Sequence, residues 1–215
     1  MIFLNNSDAF PAVNLANADG ILAIGADLSP KRVLLAYKNG IFPWFNQGEP
    51  IIWYAPKDRM VLFPDELKVS KSMRKILRKQ LFTITFNQNF EQVIYHCKNI
   101  ERNDQNGTWI TDEMQDAYVK LHKLGVAKSV EVWQNNQLVG GLYGVDLGHI
   151  FCGESMFSLV SNASKVAFIY LTKMLANKNY KLIDCQVYNN HLASLGAREI
   201  PRDLFMKYVK KQDEN

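Results

Sequence analysis

The chain has 215 residues, 47% hydrophobic and 21% charged, which allows one large domain or two small ones and excludes disorder as the bulk state. Its 25 Lys and Arg against 21 Asp and Glu leave a net charge of +4, short of the excess expected of a protein that coats nucleic acid, so any such partner must be met through a local patch. No apolar run approaches the roughly 20 residues of a membrane span, residues 1–11 lack the cationic and apolar regions of a signal peptide, and three cysteines without a Cys-x-x-Cys pair predict reduced thiols and a cytoplasmic protein.

Pro and Gly are concentrated in the first third, where short elements alternate with turns, and a small N-terminal α/β domain is expected over residues 1–62. Ser29 followed by Pro30 predicts a helix over 30–39 that Gly40 closes. Two aromatic-rich extended pieces, 41–45 and 51–56, flank a turn at Gly48. The second domain, 63–215, begins with a basic helix over 70–79, a strand over 82–86 and a helix over 89–97, followed by a helix that Thr111 caps and Gly125 ends. Strands over 128–134, 138–145 and 149–157, joined at Asn135-Asn136 and Asp146-Leu147-Gly148, predict a meander. A helix from Asn162 carries Ala167, Leu171, Met174 and Leu175 on one face; a strand over 181–188 follows, then a last helix opened by Pro201 and a charged tail. Helices mixed with a mixed, antiparallel-rich sheet in this order predict an α+β fold whose second part resembles an acetyltransferase-like (GNAT-like) domain.

Within 181–188, alternation puts Ile183, Cys185 and Val187 on a core face and Leu182, Asp184 and Gln186 on the other. A carboxylate and an amide on one side of such a strand are costly to bury unless hydrogen-bonded, so they read either as a functional pair or as a satisfied structural Asp. Glu154, inside the apolar run from Phe151 to Phe157 and beside Gly153, is a second candidate; the alternative is a carboxylate compensated by a buried cation such as Lys165. Gly140, Gly141 and Gly144 suggest that something comes close to the sheet. There is no G-x-G-x-x-G, Walker or G-x-S-x-G pattern, and the helix from Asn162 lacks the glycine-rich turn used for coenzyme A. The histidines (His96, His122, His149 and His191) are scattered, which argues against a metal site. Lys68, Lys71, Arg74, Lys75, Arg78 and Lys79 follow one another with no acid between them. Such a run is either a solvated face or, near exposed aromatics such as Trp44 and Trp53, a surface whose cations bind phosphates while a base stacks.

These residues stand in blocks that resemble the leucyl/phenylalanyl-tRNA protein transferase family. The blocks run from Asp19-Gly20-Ile21-Leu22-Ala23 through Gly40-Ile41-Phe42-Pro43-Trp44-Phe45, Gly107-Thr108-Trp109-Ile110-Thr111, Ser129-Val130-Glu131-Val132-Trp133 and Leu138-Val139-Gly140-Gly141-Leu142-Tyr143-Gly144. They continue with Phe151-Cys152-Gly153-Glu154-Ser155-Met156-Phe157-Ser158, Ile183-Asp184-Cys185-Gln186 and His191-Leu192-Ala193-Ser194-Leu195-Gly196-Ala197. The resemblance implies an enzyme that moves Leu or Phe, and Met as a third donor, from aminoacyl-tRNA (Leu-tRNA, Phe-tRNA) to proteins with N-terminal Arg or Lys. It implies no cofactor, no membrane and a monomeric chain. By the family pattern, Asp184 and Gln186 match the pair at the reaction centre, and Glu154 the acid that meets the acceptor's cationic N-terminal residue. Trp44 and Trp109 match the positions that line the site of the 3′-terminal adenosine. Leu142, Phe151, Met156, Phe168, Leu171 and Ile183 match the pocket for the donor side chain, and the basic run would hold the tRNA backbone. The sequence departs from the pattern at Ala26, where a second glycine is usual, at Tyr54-Ala55, Val126, Lys128 and Leu159, and at Phe168, where a smaller Leu is frequent. From the residues alone two other classes stay open: a non-catalytic RNA-binding module, which needs the cations and tryptophans but neither acid, and a coenzyme A-dependent acyltransferase, against which the start at Asn162 argues.

Overall fold

The computed structural model describes residues 2–100 and 108–210, so Gly107 of the block above and the tail from Lys211 lie outside the described residues. The first strands and helix are β1 (Phe3–Leu4), β2 (Ile21–Gly25), α1 (Pro30–Lys38), β3 (Phe42–Pro43) and β4 (Ile52–Tyr54), and the strands form a sheet in the order β1-β2-β4-β3. α1 starts as its sequence predicts: the Ser29 hydroxyl accepts the Arg32 N–H, and Pro30, which has no N–H to lose, takes the first position. Trp53 corrects an expectation. It sits on the inward face of β4, flanked by β2 and β3, fully buried and donating its indole N–H to the Gly25 carbonyl at 2.8 Å, whereas Trp44 remains 37% exposed.

The remaining elements are β5 (Asp58–Leu62), α2 (Lys71–Arg78), β6 (Thr83–Phe86), α3 (Phe90–Asn99), α4 (Asp112–Lys123), β7 (Ala127–Gln134), β8 (Gln137–Asp146), β9 (Ile150–Ser158), α5 (Ala163–Asn177), β10 (Leu182–Asp184), α6 (Asn190–Ala193), β11 (Arg198–Pro201) and α7 (Arg202–Lys210). Their strands form one sheet in the order β11-β5-β10-β9-β8-β7-β6, antiparallel throughout except for the parallel pair β9–β10. The mixed, antiparallel-rich α+β fold expected from the element order is therefore present. The meander β7-β8-β9 forms as predicted, and its first turn places both Asn135 and Asn136 at positive φ (51° and 61°), the conformation a two-residue turn needs to match the strand twist. Among the described residues no helix is long and apolar enough to cross a membrane.

Three elements differ from their sequence signals. β5 gives no alternation because Met60, Val61 and Leu62 are all fully buried; it lies inside the larger sheet, between β11 and β10, and the boundary expected after residue 62 falls at its end. β10 stops at Asp184 because Gln186 adopts positive φ (58°), which ends the strand alternation and leaves Val187 exposed rather than in the core. Pro201 closes β11 instead of opening a helix, as an edge strand permits. The glycines of β8 do accommodate close approach, but by the protein itself: a side chain at Gly140 would meet Ala163 of α5, at Gly141 Val93 of α3, and at Gly144 the Cys152 carbonyl. Adjacent residues of one strand point to opposite faces, so α5 covers one face of the sheet and α3 the other.

Candidate active site

The site is built where β9 and β10 run side by side. On β9, Ser155 opposes Tyr143 and Gly153 opposes Gly144, so Glu154 is the extra residue of a bulge, a device that re-aims a side chain out of the strand alternation. One Glu154 oxygen accepts the Tyr118 hydroxyl at 2.9 Å, and the other accepts the Gln186 side-chain amide at 2.7 Å. The Tyr118 hydroxyl is also bonded to that of Tyr37. Ion pairs among the described residues join Arg59 to Asp184, Lys98 to Asp112 and Arg198 to Glu66, so Glu154 is not paired with Lys165 and its hydrogen-bond donors are uncharged. Burial pushes its carboxyl from the ordinary 4.5 up to about 7, and the tyrosine hydroxyls pull against that rise.

Asp184 ends β10 and is fully buried. Its carboxylate accepts two parallel bonds from Arg59, at 2.7 and 2.6 Å, and a third from the backbone N–H of Gln186 at 2.9 Å. The Arg59 guanidinium lies between the rings of Phe42 and Phe205, 4.6 and 4.7 Å from their centroids. Burial works against the arginine's charge, but Asp184 more than offsets it and the pKa of Arg59 is raised. Both readings of Asp184 thus meet in one geometry: it is a satisfied buried carboxylate, and it holds the residue whose side chain reaches Glu154. The left-handed backbone of Gln186 turns that side chain toward Glu154, away from the face assigned by strand periodicity.

A cavity of about 400 Å³ opens here. It is lined by Leu142, Phe151, Met156, Phe168, Leu171 and Ile183, by Trp44 and Trp109, and by Glu154 and Gln186. Every residue expected at the substrate therefore converges on one space, while Asp184 stands behind its wall. Phe42, Tyr143, Ser164, Cys185, Asn189 and His191 also line it and were not among the expected site residues. Cys185 carries only a core signal in the sequence, and Asn189 and His191, at the N-cap and in the single turn of α6, belong to an element too short to give a periodicity that would orient them. Among the described residues one buried ring nitrogen of His191 has no hydrogen-bond partner, and burial together with Lys165 holds its pKa below the ordinary value. Burial likewise pushes the thiols of Cys152 and Cys185 up, which keeps them protonated and unreactive. Among the described residues no group of three or more His, Cys, Asp or Glu converges as a metal site would require.

The basic run lies elsewhere. Ser70 caps α2 by accepting the Met73 N–H, and the helix is anchored through buried Met73. Lys68, Lys71, Arg74, Lys75, Arg78 and Lys79 are all solvent-exposed, belong to none of the ion pairs among the described residues, and do not line the cavity.

Residues 61–210 match the family described as leucyl/phenylalanyl-tRNA protein transferase, and residues 26–57 match the N-terminal domain of the same family. The chain is 63% identical over 212 residues to the leucyl/phenylalanyl-tRNA–protein transferase of Flavobacterium johnsoniae, covering 99% of this chain and 100% of that one. It is 60% identical over 211 residues to the protein of the same name from Flavobacterium psychrophilum, covering 98% and 100%. Among solved structures it is similar to a GCN5-related N-acetyltransferase from Kribbella flavida, with a TM-score of 0.41 and 11% identity over 79% of this chain and 59% of that one.

Proposed function

The chain belongs to the leucyl/phenylalanyl-tRNA protein transferase family, and from that premise we propose that it transfers Leu or Phe, with Met as a third donor, from aminoacyl-tRNA to the α-amine of proteins with N-terminal Arg or Lys, marking them for degradation. The observation that carries the acceptor side of this reading is Glu154: a carboxylate on the cavity wall, held by neutral donors and with no ion-pair partner among the described residues. Such a group favours a cationic ligand, because an Arg or Lys side chain supplies the charge that the protein withholds. The apolar wall formed by Leu142, Phe151, Met156, Phe168, Leu171 and Ile183 takes the donor side chain. Trp44 and Trp109 offer aromatic faces to the terminal adenine.

The donor is an ester, so no external energy source is required. The α-amine nitrogen attacks the aminoacyl carbonyl, the C–N bond forms, the C–O bond to the ribose breaks, and the proton lost by the amine is balanced by one gained by the ribose oxygen. Holding amine and ester together supplies ~7–11 kcal/mol of the barrier in favourable cases. Asp184 is fully engaged by Arg59 and Gln186, which favours an orienting role over proton abstraction. Gln186 donates its amide N–H to Glu154, and its side-chain carbonyl oxygen serves as acceptor for the attacking amine. With an α-amine pKa of ~8, a useful fraction of the acceptor is already neutral at pH 7. The exposed cations from Lys68 to Lys79 hold tRNA phosphates without reading bases, and the chain works as a monomer in the cytoplasm without a cofactor.

Purified protein given charged Leu-tRNA or Phe-tRNA and a peptide beginning with Arg is expected to release the extended peptide, and acetyl-coenzyme A offered in parallel is expected to donate nothing. Absence of transfer from aminoacyl-tRNA at every salt concentration overturns the proposal.

A further inference from the structure

Tyr37 on α1 and Tyr118 on α4 are both fully buried, and the transfer chemistry described above uses neither. Burying a phenol hydroxyl is costly unless it is hydrogen-bonded, and here each finds its partner in a single line that reaches the site. The Tyr118 hydroxyl donates its one hydrogen to Glu154 at 2.9 Å, which leaves only its oxygen lone pairs for the Tyr37 hydroxyl. The direction of the chain follows: Tyr37 donates to Tyr118, and Tyr118 donates to Glu154. We infer that Tyr118, with Tyr37 behind it, is a positioning residue that holds Glu154 as an oriented carboxylate for the acceptor's cation.

The inference rests on the reading of Glu154 as the acceptor-binding group. The charged and titratable groups around Glu154 are Tyr37 from α1, Tyr118 from α4, Asp184 from β10, Arg59 from β5 and Cys152 on its own strand; Tyr143 from β8 packs edge-on against Tyr118 at 5.4 Å. Asp184 disfavours the Glu154 anion and Arg59 favours it, but the two are paired with each other and largely cancel. The balance against desolvation therefore falls to the uncharged donors: the two tyrosines and the Gln186 amide. Burial and the neighbouring Glu154 raise the pKa of both tyrosines well above the ordinary value, so they remain protonated donors through the physiological range. The arrangement also ties α1, next to the small sheet, to a bulge in the large one, so the protonation of the acceptor site depends on how these elements pack.

The test is a carboxyl-carbon NMR titration of protein labelled at glutamate, with Glu154→Gln assigning the resonance, run beside Leu transfer to an Arg-peptide. Wild-type Glu154 is expected to titrate near 7. Tyr118→Phe keeps the ring and removes the donor, so the midpoint should rise by about one pH unit. Tyr37→Phe should move it the same way. At pH 7 the Tyr118→Phe rate should fall about fivefold, as the ionised fraction drops from roughly a half to a tenth, and most of that loss should disappear at about pH 9. An unmoved midpoint in the folded Tyr118→Phe protein overturns the inference, as does a rate loss equal at both pH values; if that variant does not fold, an unmoved midpoint in Tyr37→Phe does the same. Absent transfer by the wild type would instead sink the proposed activity, and the titration would still judge the tyrosines.

Discussion

Replacing Glu154 with Gln isolates the energetic consequence of burying a carboxylate without a cation, independently of any turnover. Desolvation pushes the folded carboxyl from an ordinary 4.5 up to about 7. At ~1.36 kcal/mol per pH unit that difference corresponds to about 3 kcal/mol, and the partial exposure of Glu154 through the cavity reduces it to about 2–3 kcal/mol. The sign follows from proton counting. Below 4.5 both the folded and unfolded states hold the proton, and the wild type keeps its full stability. Between 4.5 and about 7 the folded state binds a proton that the unfolded state has released, so stability falls as pH rises. Above about 7 the loss is complete. Gln carries no such proton, and its changed hydrogen bonds act alike at every pH. Urea unfolding of both proteins at a series of pH values from about 4.5 to 8.5 should therefore show the stability of Glu154→Gln, relative to wild type, rising by about 2–3 kcal/mol across the range. Profiles that stay parallel within about 0.5 kcal/mol would refute the reasoning, because they would mean that Glu154 is as well solvated or compensated in the folded state as in the unfolded chain.

Asp184→Asn leaves Arg59 buried without a counter-charge, so equilibrium unfolding should show a loss of about 3–5 kcal/mol. It should also cut turnover at least tenfold while aminoacyl-tRNA affinity changes by less than about threefold; unchanged turnover in the folded variant removes Asp184 from the chemistry. Ala26 has φ of 63°, a conformation that is costly for a residue with a β-carbon. Ala26→Gly should therefore raise stability by about 0.5–1 kcal/mol even after the added freedom of the unfolded chain, and a lower melting temperature would contradict that balance. Arg74→Ala combined with Arg78→Ala should weaken tRNA binding and flatten its salt dependence, by about 0.7–0.9 in log–log slope for each phosphate that is no longer neutralised, as measured by fluorescence anisotropy; an unchanged slope places the tRNA elsewhere.

Much of the molecule is legible from local signals. Ser29-Pro30, Ser70 and Thr111 start their helices as the capping chemistry of Ser, Thr and Pro requires. Asn135-Asn136 turns the meander because Asn tolerates positive φ. β5 is invisible to period-two reading because its residues are buried on both faces, and the end of β10 is hidden because nothing local announces that Gln186 will take a left-handed backbone. Trp53 and Trp44 look alike in sequence, and only pairing on both sides of β4 separates the buried ring from the exposed one.

The site divides in the same way. The residue types are dictated by composition and motif: two carboxylates and an amide within apolar strands, an apolar set beside two tryptophans, and a run of cations without acids. What each acid does is decided by partners far away in the chain. Arg59 lies 125 residues from the Asp184 it saturates, and Tyr118 lies 36 residues from the Glu154 it supports. Asp184 is fully buried and Glu154 partly so, yet among the described residues one is paired with a cation and the other with neutral donors only, and on the proposed reading that difference separates an orienting group from a cation-binding one. The sequence determines which groups can carry charge; the cost of desolvating that charge, and which neighbour offsets it, depends on distances that only the packed sheets and helices set.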